Sequence, residues 1–138
     1  EIICQMLKSN KIYLGDISTK RDFLFVEDTV VAVLKILKKE KIYGQEFNIG
    51  SNNFYKISEV INMLKSIINK KIEIKLDPKK IRPRKSEVKV LLCNSNKAKK
   101  ILNWKPSCSS RKDFYIKLKD TVEHYKKHLN LYENLNLK

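Results

Sequence analysis

IRPRKSEVKVLLCNSNKAKKILNWKP, residues 81–106, is the stretch from which the rest of the chain can be read. It holds two of the four arginines, Arg82 and Arg84, two of the three prolines, and the only tryptophan, Trp104. Its character changes midway. A basic Arg-Pro-Arg turn passes through the apolar residues 88–92 into a helix that ends on Asn103-Trp104. Guanidinium groups offer planar, paired donors matched to phosphate oxygens, so the stretch reads as an anion site backed by a helix.

Outward from it, strands alternate with helices, which points to an α/β architecture. Residues 1–7 read as the end of a helix, with Ile2, Ile3, Met6 and Leu7 at helical spacing. Lys11 to Leu14 is a short strand closed by the turn pair Gly15-Asp16. Phe23, Leu24, Phe25 and Val26 form a continuous apolar run bounded by charge, the pattern of a buried strand. Asp28 then caps a helix to about Lys39, with Val30, Val33, Leu34 and Leu37 as one apolar stripe. Gly44 marks a turn, and residues 46–49 (EFNI) read as a strand ending at Gly50-Ser51. Ser58 opens a helix that turns Val60, Ile61, Leu64, Ile67 and Ile68 to a core. Ile72, Ile74 and Leu76 alternate with charged residues as a half-exposed strand does, and Pro78 ends it. Ser109 or Ser110 starts a last helix, in which Phe114, Leu118, Val122, Tyr125 and Leu129 recur at three and four residues. From about Asn130 a frayed tail is expected.

A length of 138 residues allows one domain, and the hydrophobic fraction of 42% is ordinary for a globular chain. No apolar run is long enough to span a bilayer, so no membrane partner is expected. No signal peptide is expected, and the lack of an initiator Met suggests a fragment or a processed product. Cys4, Cys93 and Cys108 are odd in number and lack metal spacing, which favours a reduced, cytoplasmic setting and no metal site. The net charge of +15 is nearly all lysine, scattered in pairs such as Lys38-Lys39 and Lys99-Lys100. Nucleic-acid readers cluster arginine with exposed aromatics, so the excess reads as compositional bias and nucleic acid is not an expected partner.

In a chain that defaults to lysine, an arginine marks a place where lysine will not serve. Arg21 stands at the entry to the apolar run, Arg82 and Arg84 bracket Pro83, and Glu87 follows them. The alternative is structural: Arg21 pairs with Asp22 or Asp28, Arg82 and Arg84 are solvated, and Glu87 is an ordinary salt bridge. Tyr115 and Lys119 match Tyr-x-x-x-Lys by coincidence, since no serine partner is placed and they lie on an amphipathic helix. His124 and His128 share a helix face without a third ligand. Gly15, Gly44 and Gly50 are too far apart for a phosphate-cradling loop, so no catalytic or cofactor-binding residue is assigned in this chain.

Several segments together resemble the extended short-chain dehydrogenases, the NAD-dependent sugar-nucleotide epimerases and dehydratases. Residues 20–29, KRDFLFVEDT, resemble their T-R-D-F-x-[FY]-V-x-D-T segment. Residues 44–51, GQEFNIGS, resemble G-x-x-[FY]-N-[IV]-G-S, and residues 81–106 resemble R-x-R-P-x-x-S-E-V followed by D-x-x-K-A-x-x-x-L-G-W-x-P. The order and spacing agree over residues 1–129, and the nucleotide-sugar 4,6-dehydratases are the most similar in flavour. Lys20, Asn94 and Asn103 depart from the pattern, as does the longer run between Pro106 and Leu118.

The resemblance implies the C-terminal part of a Rossmann-like enzyme: the last sheet strand and helices plus the small substrate lobe. Residues 1–56 would close the NAD-binding domain, with strands of the substrate lobe interleaved, 57–129 would form the substrate-binding lobe, and 130–138 would be a frayed tail. NAD and the catalytic tyrosine and lysine would lie outside this chain, which alone would be inactive. Arg21 and one or both of Arg82 and Arg84 would contact the diphosphate of a nucleotide-diphosphate sugar. Glu87 would face the ribose or orient an arginine, and Leu14 would line the base pocket. The full-length enzyme would be a homodimer in polysaccharide biosynthesis. Two alternatives stay open: a 4-epimerase fragment, and a non-catalytic module binding polyanions.

Overall fold

The computed structural model describes residues 1–83 and 86–133. Helix α1 (Ile2–Lys8) feeds strand β1 (Lys11–Leu14), whose alternation turns Ile12 and Leu14 inward and leaves Tyr13 half-exposed. Helix α3 (Ile57–Ile68) starts where the Glu59 carboxylate accepts the Lys56 N–H at 2.8 Å. It stops at Asn69, in the left-handed region with φ 53°, a conformation asparagine tolerates. Strand β4 (Glu73–Leu76) then lies parallel to β1, with Lys11 opposite Glu73 and Leu14 opposite Leu76.

The long helix α5 (Arg111–Lys127) opens on a capping box. The Ser110 hydroxyl accepts the Asp113 N–H at 3.1 Å, and the Asp113 carboxylate accepts the Ser110 N–H at 3.0 Å. Two of the free N–H groups of a helix start are thereby satisfied. Met6, Ile12, Leu64, Phe114 and Val122 make one core from α1, β1, α3 and α5, and Tyr55 stacks on Phe114 with ring centroids 4.2 Å apart.

A second core forms between helices α2 (Val26–Leu37) and α4 (Asn96–Leu102) around Trp104, which is fully buried. Its indole N–H donates to the Asp28 carbonyl at 3.0 Å, so the ring is both packed and satisfied. Asn103 ends α4 with φ 47°, as a glycine would at that position. The two cores are bridged by a small sheet. Strand β2 (Lys20–Arg21) sits between β3 (Tyr55–Lys56), antiparallel, and β5 (Val90–Leu91), parallel. Each core draws on residues from both sides of position 56.

Helix α6 (Leu129–Glu133) follows α5 after a break at His128, so the tail expected from Asn130 is helical as far as Glu133.

Four expectations need correction. Phe23, Leu24 and Phe25 are not a ladder strand but a half-buried extended lead into α2, which begins at Val26. Asp28 is not the cap. It lies in the first turn of α2, where its buried carboxylate accepts the Ser107 N–H at 2.9 Å and the Ser107 hydroxyl at 3.0 Å. The stripe of Val30, Val33, Leu34 and Leu37 does not face a core: these residues are 48–76% exposed, and Ala32 on another face is buried instead. Residues 46–49 are extended, but they pair with no strand among the described residues. At the start of α4, Ser95 holds the cap position and Asn94 Oδ1 accepts the Asn96 N–H at 3.1 Å.

Candidate functional site

Parallel pairing of β2 with β5 carries residues 20–22 past residues 87–93, and two neighbouring side chains exploit this differently. Arg21 turns to Glu87 and Val88. Its Nη1 donates to the Lys20 and Val88 carbonyls, each at 2.8 Å, and its Nη2 donates to Glu87 Oε1 at 2.9 Å. Glu87 is 16% exposed and Arg21 26%, so the pair is largely shielded. A guanidinium has five N–H donors. Three are used here, which leaves two on a group whose plane is already fixed. Lysine has no such fork.

Charge around the pair is mixed. Asp16, at the turn after β1, is held below the usual carboxylate range, chiefly by the Ser18 hydroxyl and N–H, with smaller help from Lys89 and Arg21. The Lys20 ammonium lies 4.6 Å from the centre of the Phe54 ring. Because Glu87 already offsets Arg21, a bound anion would need further cations from the adjoining loop. Arg82 is exposed in that loop, and Arg84 lies outside the described residues.

Asp22 is a junction that the sequence reading did not single out. Its Oδ1 accepts the Ser51 N–H at 2.9 Å and hydroxyl at 2.6 Å, and its Oδ2 accepts the Asn52 and Cys93 N–H groups, each at 3.2 Å. Two segments far apart in sequence, at residues 51–52 and at residue 93, are thereby tied to one carboxylate. Gly50 lets them meet: a Cβ there would lie 2.3 Å from the Cys93 Cβ and 3.0 Å from Asp22 Oδ2. Asn52, with φ 61°, accepts the Ser95 N–H at 2.8 Å and hydroxyl at 2.7 Å, and so anchors the start of α4. The usable signal was the pairing of an aspartate after Arg21 with a Gly-Ser-Asn turn, residue types that hydrogen-bond locally.

Other sequence candidates fall elsewhere. Leu14, expected at a base pocket, is 7% exposed and packs within the first core. Inward alternation on β1 is the reason. Arg111 is exposed on α5 and pairs with Glu59 at 3.2 Å. Tyr115 shares a hydrogen bond with Ser66 at 3.4 Å while Lys119 is exposed, so no proton relay is built. The His124 and His128 rings are 4.7 Å apart, and His124 meets the Tyr132 hydroxyl at 3.1 Å. Among the described residues no cluster of three metal-ligating side chains occurs, and no helix is long and apolar enough to cross a membrane. Burial pushes the Cys93 thiol up, with Asp22 adding to the effect, and a protonated thiol is a poor nucleophile.

The family model described as GDP-mannose 4,6 dehydratase matches residues 2–113. A GDP-6-deoxy-D-mannose reductase of Pseudomonas aeruginosa is 31% identical over 116 residues, covering 84% of this chain and 37% of that protein. A UDP-glucose 4-epimerase of Thermotoga maritima, solved with UDP-glucose, is 30% identical with a TM-score of 0.76, over 92% of this chain and 38% of that one. A dTDP-glucose 4,6-dehydratase of Bacillus anthracis, solved with NAD, is 27% identical with a TM-score of 0.74, over 94% and 39%. The chain thus spans about two fifths of the length of these relatives. Fold and motifs define the class as the extended short-chain dehydrogenases, the NAD-dependent sugar-nucleotide epimerases and dehydratases. Within that class the chain belongs to the GDP-mannose 4,6 dehydratase family.

Proposed function

We propose that this chain is the nucleotide-sugar-binding portion of an NAD-dependent sugar-nucleotide 4,6-dehydratase, and that polypeptide outside it holds NAD and the proton relay. The observation that carries the reading is Arg21: three donors fix the guanidinium against Glu87, Lys20 and Val88, and two are left for a ligand. In this reading Glu87 is a positioning residue, orienting Arg21 rather than meeting the ribose. Arg82 or Arg84 supplies the second positive charge that a diphosphate requires. NAD, when bound, accepts hydride from the sugar; the residues here hold the far end of the substrate so that its sugar is presented in register. The spacing of Gly15, Gly44 and Gly50 supports a place outside the dinucleotide cradle, since none of them builds a phosphate-wrapping turn.

The test is calorimetric titration of the chain with UDP-glucose, GDP-mannose and UMP. Diphosphate sugars are expected to bind at least tenfold more tightly than UMP, with Arg21→Lys and Arg82→Lys each weakening them by about tenfold, the loss of one charge-assisted pair. Unchanged affinity in Arg21→Lys would remove Arg21 from the site. Tighter binding of random duplex DNA with a steep salt dependence would favour the polyanion reading instead.

A further inference from the structure

The end of α5 and the start of α6 gather metal-binding donors in residues 120–132, beyond the residues 2–113 that match the family model. His124 lies in the last turn of α5 and His128 at its cap position. The His128 N–H donates to the His124 carbonyl at 3.1 Å, a helical bond that keeps the two side chains on one face. Both imidazoles are exposed, with ring centres 4.7 Å apart. A third group comes from the next helix: α6 follows the break at His128 and brings the Tyr132 hydroxyl to 3.1 Å from His124 Nε2. Tyr132 is half-buried, and its ring packs on Tyr125 with centres 4.5 Å apart, so the hydroxyl is held in place. A cavity of about 630 Å³ is lined by Glu27, Asp120, His124 and Tyr132, which puts two carboxylates around the same space.

These distances are those of neighbouring ligands on one metal ion. Two imidazoles bound at about 2.1 Å, each ring centre roughly 1.1 Å beyond its nitrogen, have centres ~4.5 Å apart at a right angle and ~5.2 Å apart at a tetrahedral angle. A nitrogen and an oxygen bound at about 2.1 Å are ~3.0 Å and ~3.4 Å apart at the same two angles. The observed 4.7 Å and 3.1 Å both fall toward the right-angle end. Nitrogen and oxygen ligands at right angles suit copper(II) or nickel(II) better than tetrahedral zinc. The geometry points to a site for a divalent ion of that kind, held by His124, His128 and Tyr132. Asp120, one turn before His124, supplies a carboxylate to the ion or to a water bound on it. The set is not a threefold cluster of histidine, cysteine and carboxylate, which does not occur among the described residues; its third donor is a phenol. An ion there ties α6 to α5, adding a cross-link to the hydrogen bond and ring contact that already join them.

Ni2+ is the probe, because it does not oxidise the free thiols of Cys4, Cys93 and Cys108 as copper(II) does. Calorimetric titration of the whole chain should show one equivalent of Ni2+ bound. His124→Asn and His128→Asn should each weaken it about tenfold or more, and Tyr132→Phe about threefold. Zn2+ should bind no more tightly than Ni2+. Amide hydrogen exchange separates this site from a bare histidine pair. The Leu131 N–H donates to the His128 carbonyl at 3.0 Å and so reports on α6. Its exchange should slow about tenfold when Ni2+ is added, and Tyr132→Phe should abolish the slowing. Absence of Ni2+ binding overturns the inference. So does binding that His124→Asn leaves unchanged, which would place the ion on the thiols or the amino terminus. Tighter binding of Zn2+ than of Ni2+ overturns the assignment of the ion. Binding that needs both histidines but leaves Leu131 exchange unmoved, or slows it equally in Tyr132→Phe, removes the phenol and overturns the site.

Discussion

Asp22→Asn should be among the most damaging isosteric changes in this chain. The carboxylate receives four donors, two on each oxygen, at 2.6–3.2 Å. An amide keeps one oxygen and presents an NH2 group where the other stood. In one orientation the Ser51 N–H and hydroxyl face hydrogen atoms; in the other the Asn52 and Cys93 N–H groups do. Either way two donors lose their acceptor, each costing about 1–3 kcal/mol, so the change should cost about 2–5 kcal/mol. Rotation of the Ser51 hydroxyl toward the Asn53 carbonyl, which it already reaches at 3.1 Å, offsets part of the loss in the first orientation. In a domain of this size each kcal/mol moves Tm by about 4 °C. Urea and thermal unfolding of Asp22→Asn, Ser51→Ala and the double variant would measure both the cost and the coupling. The double variant should lose less than the sum, because both substitutions disturb the same bond, from the Ser51 hydroxyl to the Asp22 carboxylate. A cost of Asp22→Asn below about 0.5 kcal/mol, the scale of an ordinary surface change, would refute the reasoning.

Trp104→Phe keeps an aromatic ring in the second core but removes the indole bond to the Asp28 carbonyl and leaves a void where the larger ring was. A loss of about 2–4 kcal/mol is expected by urea unfolding, and a loss under about 1 kcal/mol would contradict the packing described. Stability should also fall in acid. Asp113 is held below its ordinary 3.8 chiefly by the Ser110 hydroxyl, and Glu59 below its ordinary 4.5 chiefly by the Lys56 N–H and then Arg111. Carboxyls depressed in the folded state stabilise fully above those ordinary values and lose that contribution as pH falls below them. The urea midpoint should therefore be flat from neutrality to about pH 5 and drop below about pH 4, with Asp113→Asn showing a smaller drop. A midpoint unchanged by acid would show that these caps contribute nothing.

Much of the fold was legible in the sequence where local chemistry decides it. The period of apolar residues placed α3 and α5, the last helix starts at one of the two serines expected, Ser110, and the helix expected to end on Asn103 does end there. Distant partners were not legible. Asp28 looked like a cap because aspartate before an apolar stripe usually is one, but Ser107, far along the chain, claims its carboxylate. The α2 stripe carried the right period, yet period alone does not name the surface it covers. At the site, the scarcity of arginine singled out Arg21 and the resemblance allowed Glu87 to orient an arginine. That the two meet, across 66 positions, has no local signal. Leu14 shows the converse: strand alternation fixes which way a side chain points, and here it points into the core.

The two parallel pairings set the pace at which this structure can appear. Lys11 must find Glu73, 62 positions on (73 − 11), and Lys20 must find Val90, 70 positions on (90 − 20). Loop closure of that length adds little to the equilibrium cost, since the entropy grows only logarithmically. It weighs on the rate, because distant contacts must form before they stabilise anything. Helices α3 and α5, with local bonds and strong caps, can form early, while the clasp of Arg21 on residues 87–88 waits for the later of the two closures. Until then Arg21 is an untethered side chain, so the anion recognition proposed for it would be among the last properties the refolding chain acquires.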